Sequence, residues 1–234
     1  MKKIWIVLII IVTALSQSCS PVYFPTNSNV PLFTEKGELQ LSGYHGSNGL
    51  TAQGAVTFID HLAIIGNFGY TVHEDEDSHK NKKQKVGELG VGYYNTFSRA
   101  GKFEIYGGYG RGNSMAYDFF DLEENDTRTD AKFEKWFIQG NLGLGNRIVE
   151  GAISYRMTYV HFYEVKGMHH QTGVLHYDPM EELMLEPSFT IKVGSENLKF
   201  VSQAGLTFPY DDYAKFDYFP FYISMGIMGK IPLW

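Results

Sequence analysis

From Glu38 onward, apolar and polar residues alternate at period two in successive segments of about ten residues, and no long stretch carries the 3.6-residue repeat of an amphipathic helix. Residues two apart share one face of a strand, so each segment has one aliphatic face and one small or polar face. In the last segment Ile223, Met225, Ile227, Ile231 and Leu233 oppose Tyr222, Ser224, Gly226, Met228 and Lys230. Reading every segment this way predicts strands over 38–46, 50–59, 62–72, 86–97, 103–113, 132–145, 150–162, 183–193, 198–208 and 219–233. The fold class is therefore all-β. An antiparallel up-and-down meander of about ten strands is expected to close into a barrel, because closure removes the unpaired edges of so wide a sheet.

The connections alternate in length, with Gly46 to Gly49 the one short member of the long series. Asp60-His61, Ser98 to Lys102, Asn146 to Val149 and Gly194 to Asn197 are tight, whereas His73 to Lys85, Ser114 to Ala131, Tyr163 to Glu182 and Pro209 to Tyr218 are long and polar. All long connections then fall at one end of the barrel, and both termini are expected at the other. Short turns on the periplasmic side and longer external loops are the layout of outer-membrane barrels.

The faces agree with that layout. Glu88, Glu104, Lys135, Arg156, Glu186 and Lys192, with Gln53, Gln139 and Gln203, lie on the non-aliphatic faces. A lipid-facing wall must be apolar, while a narrow lumen can hold opposite charges that satisfy one another. Arg156, in mid-strand, is expected to find its acid among Glu88, Glu104, Glu134 and Glu186. Aromatics near strand ends (Phe58, Tyr93, Phe97, Phe103, Tyr159, Phe162, Phe208, Phe219 and Phe221) are expected to form an interfacial girdle. Pro187 removes a ladder donor in mid-strand.

The beginning of the chain supplies an address. Lys2 and Lys3 precede an apolar run from Ile4 to Val12, followed by small residues up to Cys19, the only cysteine. This is the plan of a secretory signal peptide, too short in its apolar part for a spanning helix of about 20 residues. The segment resembles a bacterial lipoprotein signal, with Ser16 three places before the cysteine and Leu15 one place further back. The resemblance implies cleavage after residue 18 and lipid attachment at Cys19. Residues 19–37, with Pro21, Pro25 and Pro31 among Ser and Asn, read as an extended, lipidated tether, and 38–234 as one β-barrel domain.

The tether-like start, the turn Phe58-Ile59-Asp60-His61-Leu62, the Gly-rich pair Gly87 to Tyr94 and Phe103 to Gly112, and Trp136-Phe137-Ile138-Gln139 together resemble a family of small outer-membrane β-barrel-like lipoproteins of Bacteroidota. That resemblance implies no known activity and no catalytic residue. The terminal Trp234 is similar to the aromatic end that marks such barrels for insertion, with Lys230 and Pro232 departing from the pattern.

Other chemistry is weakly signalled. A formal net charge of −6 argues against a nucleic-acid partner. His73 and His79 flank Glu74 to Asp77, but Lys80, Lys82, Lys83 and Lys85 follow, as in a solvated loop of mixed charge. His169, His170 and His176 lack the spacing of a zinc site. Glycines at 87, 90, 92, 108, 110 and 112 have no Lys-Ser/Thr and no helix after them, so they leave room inside a barrel rather than cradle phosphate. No Gly-x-Ser-x-Gly elbow is present, and His45, Ser154 and His161 receive no catalytic role. No cofactor or metal is expected. The expectation is a non-enzymatic, lipid-anchored outer-membrane barrel with periplasm-facing termini. Its partners would be membrane lipid, through the Cys19 acyl group and the barrel exterior, and an extracellular molecule at the long loops. The alternative is a soluble periplasmic lipoprotein whose aliphatic face lines a lipocalin-like cavity for an apolar ligand.

Overall fold

The computed structural model describes residues 21–75, 80–97, 100–118, 127–169, 173–211 and 214–233. Ten antiparallel strands close into a barrel: β1 Glu38–Gly46, β2 Gly49–Ile59, β3 Leu62–Asp75, β4 Lys80–Thr96, β5 Gly101–Asp118, β6 Thr127–Gly145, β7 Val149–His169, β9 Met180–Gly194, β10 Leu198–Leu206 and β12 Phe221–Pro232. Consecutive members pair with one another, and β1 closes on β12 from Glu38 opposite Pro232 to Gly46 opposite Ser224. Two short strands are added at the rim, β8 Gly173–Tyr177 on β7 and β11 Phe208–Pro209 on β9.

The barrel is taller on one side than the alternation of residues implied. The segments expected as long loops after β3, β5 and β7 are largely strand, so that β4 to β7 run for 17, 18, 19 and 21 residues against 9 in β1 and β10. Both faces of this raised wall carry polar residues, which erases the period-two signal without removing the strand. A β-bulge also shifts its register: Lys132 pairs with Glu164 but Phe133 with Phe162, leaving Tyr163 as the extra residue.

Pro187 falls where the sheet tolerates it. The β9–β10 ladder ends at Ser188 opposite Gly205, and pairing on that side resumes only at Leu185 opposite Phe208. The missing N–H therefore coincides with a break in the ladder. Lys230 turns to the short-turn end of the lumen, where it pairs with Glu38 at 3.0 Å.

The aliphatic face points outward all the way round. Ile64, Leu89, Ile138 and Ile227 are 43%, 64%, 62% and 53% exposed. Along β7 the outward positions run from Val149 to Tyr159, about 33 Å of strand, or about 25 Å of height at the usual barrel tilt. Phe58, Tyr93, Phe97, Phe103, Tyr159, Phe208 and Phe221 are on this exterior as expected, joined by Tyr109 and Trp136, whose rings meet at 5.5 Å. Phe162 and Phe219 are not. Phe162 is fully buried in an internal cluster with Phe133 and Phe216, being six residues from the luminal Arg156 and hence on the same face. Phe219 lies against Phe24 at 5.4 Å.

The closing seam can be checked directly. His45 and Met225 are register partners on the exterior. The double variant His45→Cys, Met225→Cys should cross-link with a short bifunctional maleimide in the folded protein and change its migration on a denaturing gel. No cross-link in folded protein would mean that β1 and β12 do not meet.

Candidate functional site

An inward-facing charge in a barrel this narrow must find its partner across the lumen. Glu88 of β4 accepts the Lys135 ammonium of β6 at 2.5 Å and the Arg156 guanidinium of β7 at 3.2 Å, all three side chains being buried. Arg156 also donates to Gln139 Oε1 at 2.6 and 2.8 Å, and its guanidinium lies 4.5 Å from the centre of the Phe137 ring. Glu186, the register partner of Arg156, accepts from Thr158 at 2.9 Å. Nearer the short turns, Glu104 accepts from Asn141 at 2.8 Å, and Glu150 bridges Lys102 and Lys199.

Glu134 is not a member of the network. It sits next to Lys135 in β6, and neighbours in a strand face opposite sides. Its carboxylate is on the exterior, accepting from Tyr109 Oη at 3.0 Å and lying 3.3 Å from His161 Nδ1. Glu88, Glu104, Glu186, Lys135, Arg156 and Lys192 are all inside.

The centre of the lumen is occupied by the chain itself. Residues expected as an extended tether outside the folded domain run through the barrel instead, and Tyr23, Phe24, Asn27, Ser28, Leu32 and Phe33 are each at most 3% exposed. An extended segment with no strand beside it leaves its peptide groups without ladder partners, and buried peptide groups must be paired. The luminal side chains supply those partners. The Gln84 amide accepts from Phe24 N at 2.9 Å and donates to Phe24 O at 2.7 Å, and Gln203 brackets Ser28 in the same way at 2.9 and 3.0 Å. Gln53 donates to Asn27 O, Gln139 to Asn29 O and the Lys192 ammonium to Pro31 O, while Glu104 accepts from Phe33 N. Pro21, Pro25 and Pro31 have no N–H to satisfy.

Side chains of the segment tie it into the charge network. Thr26 donates to Glu88 at 2.6 Å and accepts from Arg156 at 3.1 Å, and Tyr23 Oη donates to Glu186 at 2.8 Å. Asn27 accepts from Asn48 and Thr51 at 2.9 and 3.1 Å. Room is made by a missing side chain: a Cβ on Gly143 would come within 2.5 Å of Leu32 Cδ2. Leu32 holds φ = 61°, a left-handed backbone costing about 1–2 kcal/mol for a residue with a side chain, and its burial against β6 keeps it there.

The ends of the segment define its direction. Val22 N and Tyr23 N donate to Asp217 O, and Tyr23 pairs with Tyr218 in a single parallel bridge, at the long-connection end. Tyr23 packs there among Phe133, Phe162 and Phe216. At the other end Thr34 donates to Glu38 at 2.9 Å, Gly37 N to Thr57 O and Leu233 N to Gly37 O, both at 2.8 Å. The two ends of the described chain therefore lie at opposite ends of the barrel. That corrects the expectation of neighbouring termini, which followed from strand parity alone.

Ser154 is buried on the luminal side, while His45 is exposed and His161 half-buried on the other face, so the three are not brought together. Among the described residues no group of three His, Cys, Asp or Glu could hold a metal. His79 and His170, and the lipid attachment expected at Cys19, lie outside the described residues.

No family model and no curated relative matches the chain. Among solved structures it is similar to the translocator domain of the autotransporter NalP from Neisseria meningitidis, with 12% identity and a TM-score of 0.51 over 82% of this chain and 86% of that one. This shows a shared barrel fold. The N-terminal β-barrel domain of Pseudomonas aeruginosa OprF, at 6% identity and TM-score 0.37, covers 85% of this chain and 100% of its own. The KdgM porin, at 8% and 0.36, covers 82% and 98%. Both are too distant in shape to add to the comparison.

The network separates two carboxylates that look alike in sequence. Arg156→Ala leaves Glu88 with one buried cation and should cost about 3–5 kcal/mol in denaturant unfolding. Glu134→Ala, on the exterior, should stay within about 0.5 kcal/mol. Equal losses would remove the distinction between lumen and exterior.

Proposed function

We propose that the protein is a lipid-anchored outer-membrane β-barrel, sealed by its own N-terminal segment, that serves the envelope as a structural and surface-contact element rather than as an enzyme or a general pore. The observation that carries this reading is the continuous outward band of aliphatic side chains around a lumen of paired charges. Water would not favour about 25 Å of apolar exterior, and lipid requires it. The alternative of a cavity for an apolar ligand is set aside, because the residues that would line it face outward.

Sealing follows from the contents of the lumen. A ten-stranded barrel is only slightly wider than the eight-stranded kind that side chains fill. Here the remaining space holds an extended segment and the groups that bind it. The raised wall offers the contact surface, its outer face carrying Lys132–Glu164 and Lys166–Glu164 pairs at 2.8 and 2.5 Å. The Cys19 anchor and membership in the lipoprotein family of Bacteroidota are part of the same proposal, supported by the layout of residues 1–19 and by the resemblances in the strands.

The purified protein should migrate heat-modifiably from the outer-membrane fraction, incorporate labelled fatty acid unless Cys19 is replaced by Ala, and give no steady current in planar bilayers. Large steady currents from the full chain would contradict the sealed barrel. Incorporation that persists in Cys19→Ala would contradict the anchor.

A further inference from the structure

We infer that the N-terminal end of the mature chain faces the cell exterior, so that whatever lipid Cys19 carries sits in the external leaflet, on the same side as the raised wall. The inference rests on the outer-membrane reading above and on one independent observation, the direction in which residues 22–34 run through the lumen.

Val22 and Tyr23 are held by Asp217 and Tyr218 at the long-connection end, and Thr34 meets Glu38 at the short-turn end. Between them the segment is fixed at successive levels: Thr26 on Glu88, Ser28 on Gln203, Pro31 on Lys192 and Phe33 on Glu104. Reversal of the thread would discard every one of these contacts. In outer-membrane barrels the short turns face the periplasm and the longer connections face out. Pro21 then lies at the outer mouth, and Cys19, two residues earlier, can be no more than about 7 Å of chain away. That reach is far less than the thickness of the membrane, so an acyl chain on Cys19 cannot enter the periplasmic leaflet while the segment is seated. Anchor and plug would reinforce each other: a lipid held in the outer leaflet opposes withdrawal of the segment toward the periplasm.

The test uses the full chain in the outer membrane of a Gram-negative host. An eight-residue epitope is inserted between Ser20 and Pro21, and Asp178→Cys, after β8, and Glu196→Cys, in the turn after β9, are made separately as markers of the two ends. Antibody and a membrane-impermeant maleimide are applied to intact and to permeabilised cells, using only variants that keep the heat-modifiable band. If the insertion abolishes that band, Ser20→Cys replaces it with the maleimide as probe. The epitope and Asp178→Cys should be reached in intact cells, and Glu196→Cys only after permeabilisation. Access to Asp178→Cys with the N-terminal probe hidden would overturn the inference and leave the barrel reading standing. Any other pattern at the two marker positions would overturn the outer-membrane reading itself, and the inference with it.

Discussion

The structure depends on pairing the peptide groups of a single extended segment that has no neighbouring strand. A buried N–H or C=O left alone costs as much as a lost hydrogen bond, and the segment carries about two dozen peptide N–H and C=O groups through the barrel. The primary amides of Gln84 and Gln203 solve this locally, each presenting a donor and an acceptor to one residue as a ladder partner would. Gln53, Gln139, Asn141 and Lys192 take carbonyls, and Glu104 takes an N–H. Proline at three positions removes the need for three more donors. The luminal face is therefore complementary to a particular chain, not generically polar.

The charge network follows from the same demand. Glu88 faces two cations, Lys135 and Arg156, and Thr26 of the segment sits among them, donating to the acid and accepting from Arg156. Unpaired, any of these charges would be costly at such burial, so the segment and the wall stabilise each other. The apolar exterior and the packed interior are two results of one alternation along each strand. Where the strands rise past the aromatic exterior around Tyr109, Trp136 and Tyr159, the outer face becomes charged, while Tyr23 and Phe216 pack on the luminal side with Phe133 and Phe162.

Period two made most of the barrel legible. The alternation bounds β1 at Glu38–Gly46, as observed, and puts Glu88, Glu104, Arg156, Glu186 and Lys192 on the luminal face. The same rule, applied strictly, excludes Glu134 beside Lys135 and moves Phe162 inside with Arg156. The raised wall was hidden because its strands are polar on both faces and because the bulge at Tyr163 breaks the register. The plug was hidden for a different reason: Pro, Asn and Ser compose a solvated linker and a luminal segment equally well. One signal did separate the two. Val22, Tyr23, Phe24, Val30, Leu32 and Phe33 are more apolar than a tether in water needs to be.

Amide hydrogen exchange across residues 22–33 of the folded, detergent-solubilised protein tests the central claim most directly. If the segment is seated in the lumen, the amides of Phe24, Ser28 and Phe33 should exchange as slowly as those of β6 and β7, and together with them on unfolding. Exchange at the rate of a free peptide, with the barrel strands still protected, would contradict the account.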